Sequence, residues 1–266
     1  MDGPDPALLR EDMLDSVEHS LGRAVPPTVR EAMATVPREE FVAEAPYANR
    51  AGEQGGTRVL SPATVARLLS ALAPDAGDET LVVGGGVGYT AAVLAEIAGA
   101  RRVHAVDISR RMVYDARQNL SAAGYGAVLV DRADGARGLP AYAPFDRILV
   151  EAAAVEPPRD LVDQLAPGGR LVLPRGRGAD QTVVAYEPGG GNAGNDGAGD
   201  GTVAEVDTAG PVSLSPLLVE GEQAGAGVRN RTRREEAEFS EQGYFAKTGW
   251  EHEWIDWDDR LTGTDR

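Results

Sequence analysis

The sequence contains no cysteine, a single lysine and no long apolar run. Without cysteine there is no disulfide framework, no thiolate nucleophile and no cysteine-based metal site. The lack of a long apolar run argues against a transmembrane helix, and the N-terminus lacks the basic and apolar regions of a signal peptide. We therefore expect a cytoplasmic protein with no membrane partner and no bound metal.

Positive charge is scarce as well. Lys247 is the one lysine, arginine supplies the other basic residues, and the formal net charge is −16. A highly acidic, lysine-poor surface suits a salt-rich cytoplasm, because exposed carboxylates hold hydration where screening weakens their repulsion. This composition predicts a halophilic source. It also argues against nucleic acid as a partner, since phosphate binding requires a basic face; salt screening weakens this argument without reversing it.

The most informative stretch is a glycine-rich turn between a predicted strand, Thr80–Val83, and a helix that starts near Thr90. Parallel α/β sheets bind nucleotides at such turns, where a Cβ would keep a ligand away from backbone N–H groups. The glycines form a G-x-G-x-G motif, namely Gly84, Gly86 and Gly88. The dinucleotide fingerprint would need a small residue at Tyr89. The shorter motif is typical of S-adenosylmethionine (AdoMet) methyltransferases; the alternative is a turn without a ligand.

An acidic residue follows the second predicted strand, Arg102–Val106. Asp107 stands about twenty residues past the glycines, where a carboxylate can accept hydrogen bonds from both ribose hydroxyls. The alternative is that Asp107 caps the predicted helix Ile108–Leu120.

Two further candidates follow later strands. Asp134, or its backbone, would meet the adenine edge, and Gly135 would let the chain pass close to the ring; the plain alternative is an Asp-Gly turn. Glu151 follows the strand residues Ile148–Val150, at the end of the sheet where open α/β folds bind ligands. Glu151 either contacts cofactor or substrate, or is a solvated carboxylate.

Hydrophobic periodicity and turn residues predict the remaining elements. The predicted helices are Pro6–Leu21, Thr28–Ala34, Pro62–Leu72 with Ser61 as its N-cap, Ala91–Ala98 and Pro157–Leu165. The other predicted strands are Gly126–Val130, Arg170–Leu173, Gln181–Tyr186, Thr202–Val206 and Val212–Val219.

Three segments resemble the protein-L-isoaspartate O-methyltransferase family. They are Val36-Pro37-Arg38-Glu39-Glu40-Phe41-Val42, then Tyr47-Ala48-Asn49-Arg50, and Ala143-Pro144-Phe145-Asp146-Arg147-Ile148-Leu149-Val150-Glu151-Ala152-Ala153-Ala154, in which Glu151 replaces a family threonine. The resemblance covers roughly Leu8 to Val219. It implies an α/β, Rossmann-like class I methyltransferase with a mostly parallel seven-stranded sheet and an N-terminal helical cap.

The resemblance also implies a division of the chain. Residues 1–56 would form the cap and substrate-side segment, and residues 57–219 the AdoMet-binding domain. Within that domain, the Gly/Asn/Asp composition of residues 188–201 predicts a mobile insertion, because the tract has nothing to bury. Residues 220–266 would be an acidic, aromatic extension beyond the resemblance. A monomer is favoured.

The implied reaction is methyl transfer from AdoMet to the carboxylate of L-isoaspartyl residues in damaged proteins, and the family's catalytic serine corresponds to one of two positions. Counting from Tyr47 selects Ser61, whereas counting back from Val65 selects Leu60. Ser61 is preferred because a hydroxyl at a helix N-cap can turn toward a ligand. Two alternatives stay open: a methyltransferase for tRNA or a small molecule, and an AdoMet-binding paralogue that acts as an adaptor.

Overall fold

The computed structural model describes residues 5–189 and 203–218, which belong to one compact unit. Most of the predicted insertion at 188–201 and all of the predicted extension at 220–266 lie outside the described residues. The division of the chain at residue 57 stays a prediction. Every helix among the described residues is too short or too polar to cross a lipid bilayer.

Two helices open the described chain, α1 (Pro6–Leu21) and α2 (Pro27–Thr35). The side chain of Asp5 caps α1 by accepting a hydrogen bond from the Ala7 amide, and Gly22 ends the helix in the left-handed conformation. Both features follow ordinary capping chemistry, since the first amides and last carbonyls of a helix lack partners within it. The prediction of a helix over Pro6–Leu21 is confirmed.

A short hairpin connects this helical region to the sheet. It consists of β1 (Gly52–Gln54) and β2 (Thr57–Val59), and α3 (Pro62–Leu72) follows. Ser61 is the N-cap of α3, as predicted, and its hydroxyl accepts the Thr64 amide at 3.2 Å.

The remaining elements begin as alternating strands and helices and end in three consecutive strands. They are β3 (Thr80–Val83), α4 (Tyr89–Ala98), β4 (Val103–Asp107), α5 (Arg110–Ala122), β5 (Leu129–Arg132), β6 (Phe145–Val150), α6 (Arg159–Val162), β7 (Leu165–Arg177), β8 (Asp180–Pro188) and β9 (Val203–Val212). Seven of the strands form one sheet in the order β5-β4-β3-β6-β7-β8-β9. Pairing is parallel from β5 to β7 and antiparallel from β7 to β9. The predicted fold class, a mostly parallel seven-stranded sheet, is confirmed.

Alternate residues of the strands enter two hydrophobic clusters, because successive side chains of a strand point to opposite faces. On β3, Val82 joins the cluster that contains α1 to α5, and Leu81 and Val83 join the cluster that contains Leu161 of α6. The sheet is therefore covered on both faces, as parallel strands require. Helices α1 and α2 share their apolar core with the sheet.

The predicted helix Pro157–Leu165 is wrong in extent. Helix α6 covers only Arg159–Val162, and from Leu165 the chain is already strand β7, paired with Phe145. The Phe145 amide donates to the Gln164 carbonyl at 2.8 Å, which draws this backbone into the sheet. The β6–β7 register shifts between Phe145 and Arg147, and this irregularity accommodates residues 166–169, which include a Pro-Gly-Gly turn sequence.

The two predicted strands Thr202–Val206 and Val212–Val219 are also corrected. The structure has one strand, β9, and two register shifts against β8 absorb the intervening residues. The chain after β9 turns back over the sheet, where Pro216 pairs with Ala153. Thr202 and Val219 lie outside the described residues.

Candidate functional site

A pocket opens at the carboxyl ends of β3, β4 and β6. Strands β4 and β6 flank β3 on opposite sides, so the chain order reverses at β3. Such a switch point leaves a crevice, because the connections that follow neighbouring strands diverge. Five of the predicted site residues line the pocket: Gly84, Gly86, Asp107, Gly135 and Glu151.

The glycine-rich turn forms the floor of this pocket. Gly84, Gly86 and Gly88 all have positive φ angles, of 83°, 51° and 93°, which side chains of L-residues disfavour. Gly88 is the N-cap of α4, and a Cβ there would lie 3.3 Å from Leu120. Gly88 therefore shapes the turn beneath the pocket, whereas Gly84 and Gly86 line it.

Asp107 lies at the end of β4 and faces the turn. Its Oδ2 accepts the Gly86 amide at 3.1 Å and its Oδ1 accepts the Ser109 amide at 2.8 Å. Burial raises the pKa of the Asp107 carboxyl, and these two backbone hydrogen bonds oppose the shift. Ser109, and not Asp107, is the N-cap of α5. A carboxylate has about four acceptor sites, so Asp107 retains capacity for a ligand's hydroxyls.

Asp134 and Gly135 follow β5 and have separate roles. The Asp134 carboxylate accepts the Ala136 amide at 3.0 Å and caps a short 3₁₀ turn, Gly135–Arg137. Gly135 itself lines the pocket, and a Cβ there would overlap with Val83 Cγ1. The close approach of the two strand ends therefore requires glycine at 135.

Glu151 is the first residue after β6, and its amide donates to the Val83 carbonyl at 2.8 Å. This bond fixes Glu151 beside the glycine-rich turn. Burial raises the pKa of the Glu151 carboxyl to about 7, and the nearby Asp107 carboxylate adds to the shift. The Thr90 hydroxyl and the Arg38 guanidinium act in the opposite direction.

The two candidates for the serine position differ in their surroundings. Leu60 lines the pocket, and Ser61 is not among the described residues that line it. The Ser61 hydroxyl lies 2.9 Å from the Thr64 hydroxyl in addition to accepting the Thr64 amide. In this conformation the Ser61 hydroxyl caps the N-terminus of α3.

Sequence reasoning missed Arg38, which is only 2% exposed and lines the pocket. Its Nε donates to the Pro46 carbonyl at 2.9 Å and its Nη2 to the Leu60 carbonyl at 2.6 Å. The guanidinium lies over the Tyr89 ring, 4.3 Å from the centroid. Burial lowers the Arg38 pKa. Arg38 thus connects the N-terminal region to the pocket wall. In the sequence, only its position in the Val-Pro-Arg segment could have indicated a role at the site.

The chain after β9 supplies another wall that the sequence did not indicate. The buried side chain of Gln181 donates to the Leu214 carbonyl at 3.0 Å and accepts its amide at 2.7 Å. This pair holds residues 214–218 against the pocket. An apolar wall together with the carboxylates of Asp107 and Glu151 suits a ligand that carries both a flat apolar group and polar hydroxyls or charge.

The sheet order, the glycine-rich turn and the carboxylate at the end of β4 define a class I methyltransferase fold. A family model described as protein-L-isoaspartate(D-aspartate) O-methyltransferase matches residues 10–194. The chain therefore belongs to that family.

Curated relatives agree with this assignment. A protein-L-isoaspartate O-methyltransferase of Aeropyrum pernix is 44% identical over 166 residues, which cover 60% of this chain and 64% of the relative. Protein-L-isoaspartate O-methyltransferase 1 of Polaromonas sp. is 36% identical over 200 residues, covering 70% of this chain and 84% of the relative. The first alignment spans slightly less than two thirds of the relative's length.

Solved structures show the same fold. A protein-L-isoaspartate O-methyltransferase superposes with a TM-score of 0.58 at 26% identity, covering 66% of this chain and 59% of that one. A Plasmodium falciparum protein, described as a putative protein-L-isoaspartate O-methyltransferase in complex with S-adenosyl-L-homocysteine, has a TM-score of 0.65 at 20% identity. That superposition covers 79% of this chain and 98% of the other.

Proposed function

We propose that this protein transfers a methyl group from AdoMet to the carboxylate of L-isoaspartyl residues in damaged proteins or peptides. The observation that carries the proposal is the family match over residues 10–194, a range that contains all eight predicted site residues, from Ser61 to Glu151. The pocket at the carboxyl ends of β3, β4 and β6 supports it, because this family's chemistry needs a site for an adenosyl cofactor next to a carboxylate acceptor.

The residues of the pocket fit AdoMet. The absence of side chains at Gly84 and Gly86 leaves the turn open, and Asp107 keeps acceptor capacity for ribose hydroxyls. Gly135 leaves space where any side chain would meet Val83, so a flat adenine could lie beside it. When bound, AdoMet supplies a methyl group on a positively charged sulfur, which a nucleophilic oxygen can take directly.

The protein has little acid–base work to do in this reaction. A carboxylate acceptor is already ionised and nucleophilic at neutral pH, so no general base is required. The task of the pocket is to align the acceptor with the methyl group and to exclude water from both. The apolar wall at 214–218 and the side chain of Leu60 serve this exclusion.

We retain Ser61 as the proposed positioning group for the substrate carboxylate, and a pair of variants tests it. Ser61→Ala removes the hydroxyl and the helix cap together, whereas Ser61→Asn keeps a capping oxygen. If Ser61 holds the substrate, both variants raise KM for an isoaspartyl peptide about tenfold. If only the cap matters, Ser61→Asn behaves as wild type, and the assignment of Ser61 to the substrate is refuted.

One observation favours a second candidate, a protein that binds AdoMet without turnover. The Ser61 hydroxyl is engaged by Thr64, and Leu60 stands at the pocket in its place. Such a protein would act as an adaptor. It would bind AdoMet and methylate no isoaspartyl peptide.

The decisive assay measures transfer of radiolabelled methyl groups in high salt. The substrates are an isoaspartyl peptide, the same peptide with a normal aspartyl residue, and bulk tRNA. The proposed function predicts base-labile methyl ester on the isoaspartyl peptide only. Label on tRNA would contradict it in favour of another methyltransferase, and AdoMet binding without label on any substrate would favour the adaptor.

We further propose that the protein works as a monomer in a salt-rich cytoplasm. The net charge of −16 with a single lysine supports the high-salt assignment, because such a surface gains most from screening. An optimum of activity at low salt would contradict it.

A further inference from the structure

The carboxylate of Glu151 lines the pocket but has no role in the proposed methyl transfer. Oε1 of Glu151 is buried and has no hydrogen-bond partner among residues 5–189 and 203–218. The side chain lies beside Gly84, where a Cβ added to the glycine would be 3.8 Å from Glu151 Cβ. An unpartnered buried oxygen costs free energy, so its retention at a pocket wall indicates a partner from outside the protein.

The strand order indicates which part of the cofactor would meet Glu151; this step rests on the proposed function. AdoMet is linear: adenine, ribose, sulfonium, amino acid. Across the sheet, Gly135 follows β5, Asp107 ends β4, the glycine-rich turn follows β3, and Glu151 follows β6. With adenine beside Gly135 and ribose at Asp107, the sulfonium end extends past the glycines toward β6. Glu151 is thus on the methyl-donor side of the pocket.

We propose that Glu151 is a specificity-determining residue whose carboxylate faces the sulfonium and makes the pocket prefer the charged methyl donor over its neutral-sulfur product, S-adenosylhomocysteine. The two molecules share their adenosine and their amino acid portion. They differ in the methyl group and in the positive charge on sulfur, and a carboxylate is the side chain that can distinguish that charge. The preference would limit inhibition by product.

The surroundings of Glu151 make this preference depend on pH. Among the described residues, the charged or titratable groups near it are Asp107 of β4, the buried guanidinium of Arg38, Tyr89 of α4 and, at the pocket, Arg58 of β2. Burial and Asp107 raise the pKa of Glu151 to about 7. Below that pH the carboxyl is neutral and offers the sulfonium no countercharge; above it the carboxylate attracts the sulfonium strongly, because screening is weak in a buried site.

Calorimetric titration of AdoMet and S-adenosylhomocysteine into the full chain at fixed high salt tests the proposal. At about pH 6 and again at about pH 8.5, the experiment measures the ratio of the dissociation constants of the two ligands. It compares wild type, Glu151→Gln and Glu156→Gln. Glu156 is an exposed carboxylate on the loop after β6 and serves as the matched control. Ionisation of the ligands' own amino groups is common to all three proteins and cancels from the comparison.

Between the two pH values, the preference for AdoMet should increase in wild type and in Glu156→Gln. That increase should be about tenfold larger than in Glu151→Gln, which corresponds to about 1.4 kcal/mol. Equal pH dependence in all three proteins would refute the role of Glu151 while leaving the proposed function intact. Failure of folded wild type to bind either ligand would instead refute AdoMet as the cofactor, and with it both proposals. Binding of S-adenosylhomocysteine by Glu151→Gln with wild-type affinity shows that the variant is folded.

Discussion

At the scale of single residues, Arg38 stabilises one wall of the pocket. Its guanidinium donates to the carbonyls of Pro46 and Leu60 from a buried site over the Tyr89 ring. Arg38→Met would leave both carbonyls without this donor. We predict a loss of about 3 kcal/mol in the free energy of unfolding, since a buried acceptor without a partner costs about 1–3 kcal/mol. Urea unfolding measures it.

The control for Arg38 is a pair on the surface. Arg102 contacts Glu79 at 2.5 Å, but both side chains are more than a third exposed. Exposed pairs contribute about 0–1 kcal/mol, so Arg102→Met should change stability by less than about 1 kcal/mol. Equal losses in the two variants would show that the buried contacts of Arg38 are not what stabilises the fold.

Glu151 gives a prediction for the pH dependence of stability. Its folded pKa of about 7 lies above the ordinary value of 4.5. Because the folded state then binds more protons than the unfolded state, this group makes stability fall as pH rises from about 4.5 to about 7. Glu151→Gln removes the effect. Without ligand, the variant should match wild type near pH 4.5 and exceed it above pH 8, by up to about 3 kcal/mol.

Urea unfolding at the two pH values provides this comparison. A stability difference between Glu151→Gln and wild type that stays constant with pH would contradict the assignment of a raised pKa to Glu151. Binding of a cation at the site should reverse the sign of this stability difference, so that wild type exceeds Glu151→Gln. The reason is that a bound positive charge stabilises the ionised carboxylate.

The residues of the site were predictable where their chemistry is local. Asp107 is a carboxylate at the end of a buried strand, and its separation from the glycines can be counted along the sequence. Arg38 was not predictable as a pocket residue, because its contacts with Pro46 and Leu60 join segments that only the folded chain brings together. Leu60 was one of two candidates for the serine position, and counting along the sequence does not decide between it and Ser61. Ser61 shows the same limit: its capping role is local and was predicted correctly, whereas its role toward a substrate stays a prediction.

At the scale of elements, the pocket depends on how closely the turn after β5 approaches β3. Gly135→Ala would make a Cβ overlap with Val83 Cγ1, so one of the two segments must move. We predict a loss of about 1–3 kcal/mol in stability and weaker binding of S-adenosylhomocysteine, as overpacking of a well-packed site costs this much. Urea unfolding and calorimetry check the two effects.

Gly52→Ala is the matched control for Gly135→Ala. A Cβ on Gly52 meets nothing within 4 Å, and the backbone there does not require glycine. Its stability should stay within about 0.5 kcal/mol of wild type. If Gly135→Ala is equally neutral, the close approach at Gly135 does not constrain the pocket.

Elements were predictable where capping and periodicity agree. For α1, α3 and β3 the predicted bounds match the structure, because prolines, N-cap residues and runs of apolar residues mark them. The start of β7 was missed because Leu165 enters the sheet through pairing with Phe145, a contact between distant segments. Likewise, β9 is one strand where the sequence predicted two, because register shifts in its pairing with β8 accommodate the intervening residues.

At the scale of the whole molecule, the net charge should make the free energy of unfolding depend on salt. A net charge of −16 repels itself in dilute buffer, and the Debye length falls from about 10 Å at 0.1 M salt to about 3 Å at 1 M. We predict that the free energy of unfolding rises by roughly 1–3 kcal/mol over that range of KCl. Urea must be the denaturant, because guanidinium is itself a salt. A constant or falling stability would contradict the proposed adaptation to salt.

We propose that the crevice at the ends of β3, β4 and β6 holds the adenosyl cofactor, with its ribose on Asp107 and its sulfur toward Glu151. A crystal structure of the full chain grown with S-adenosylhomocysteine tests this most directly. We expect density over Gly84 and Gly86, ribose hydroxyls within hydrogen-bond distance of the Asp107 carboxylate, and adenine beside Gly135. Density with the opposite orientation, at another site, or absent at saturating ligand would contradict it.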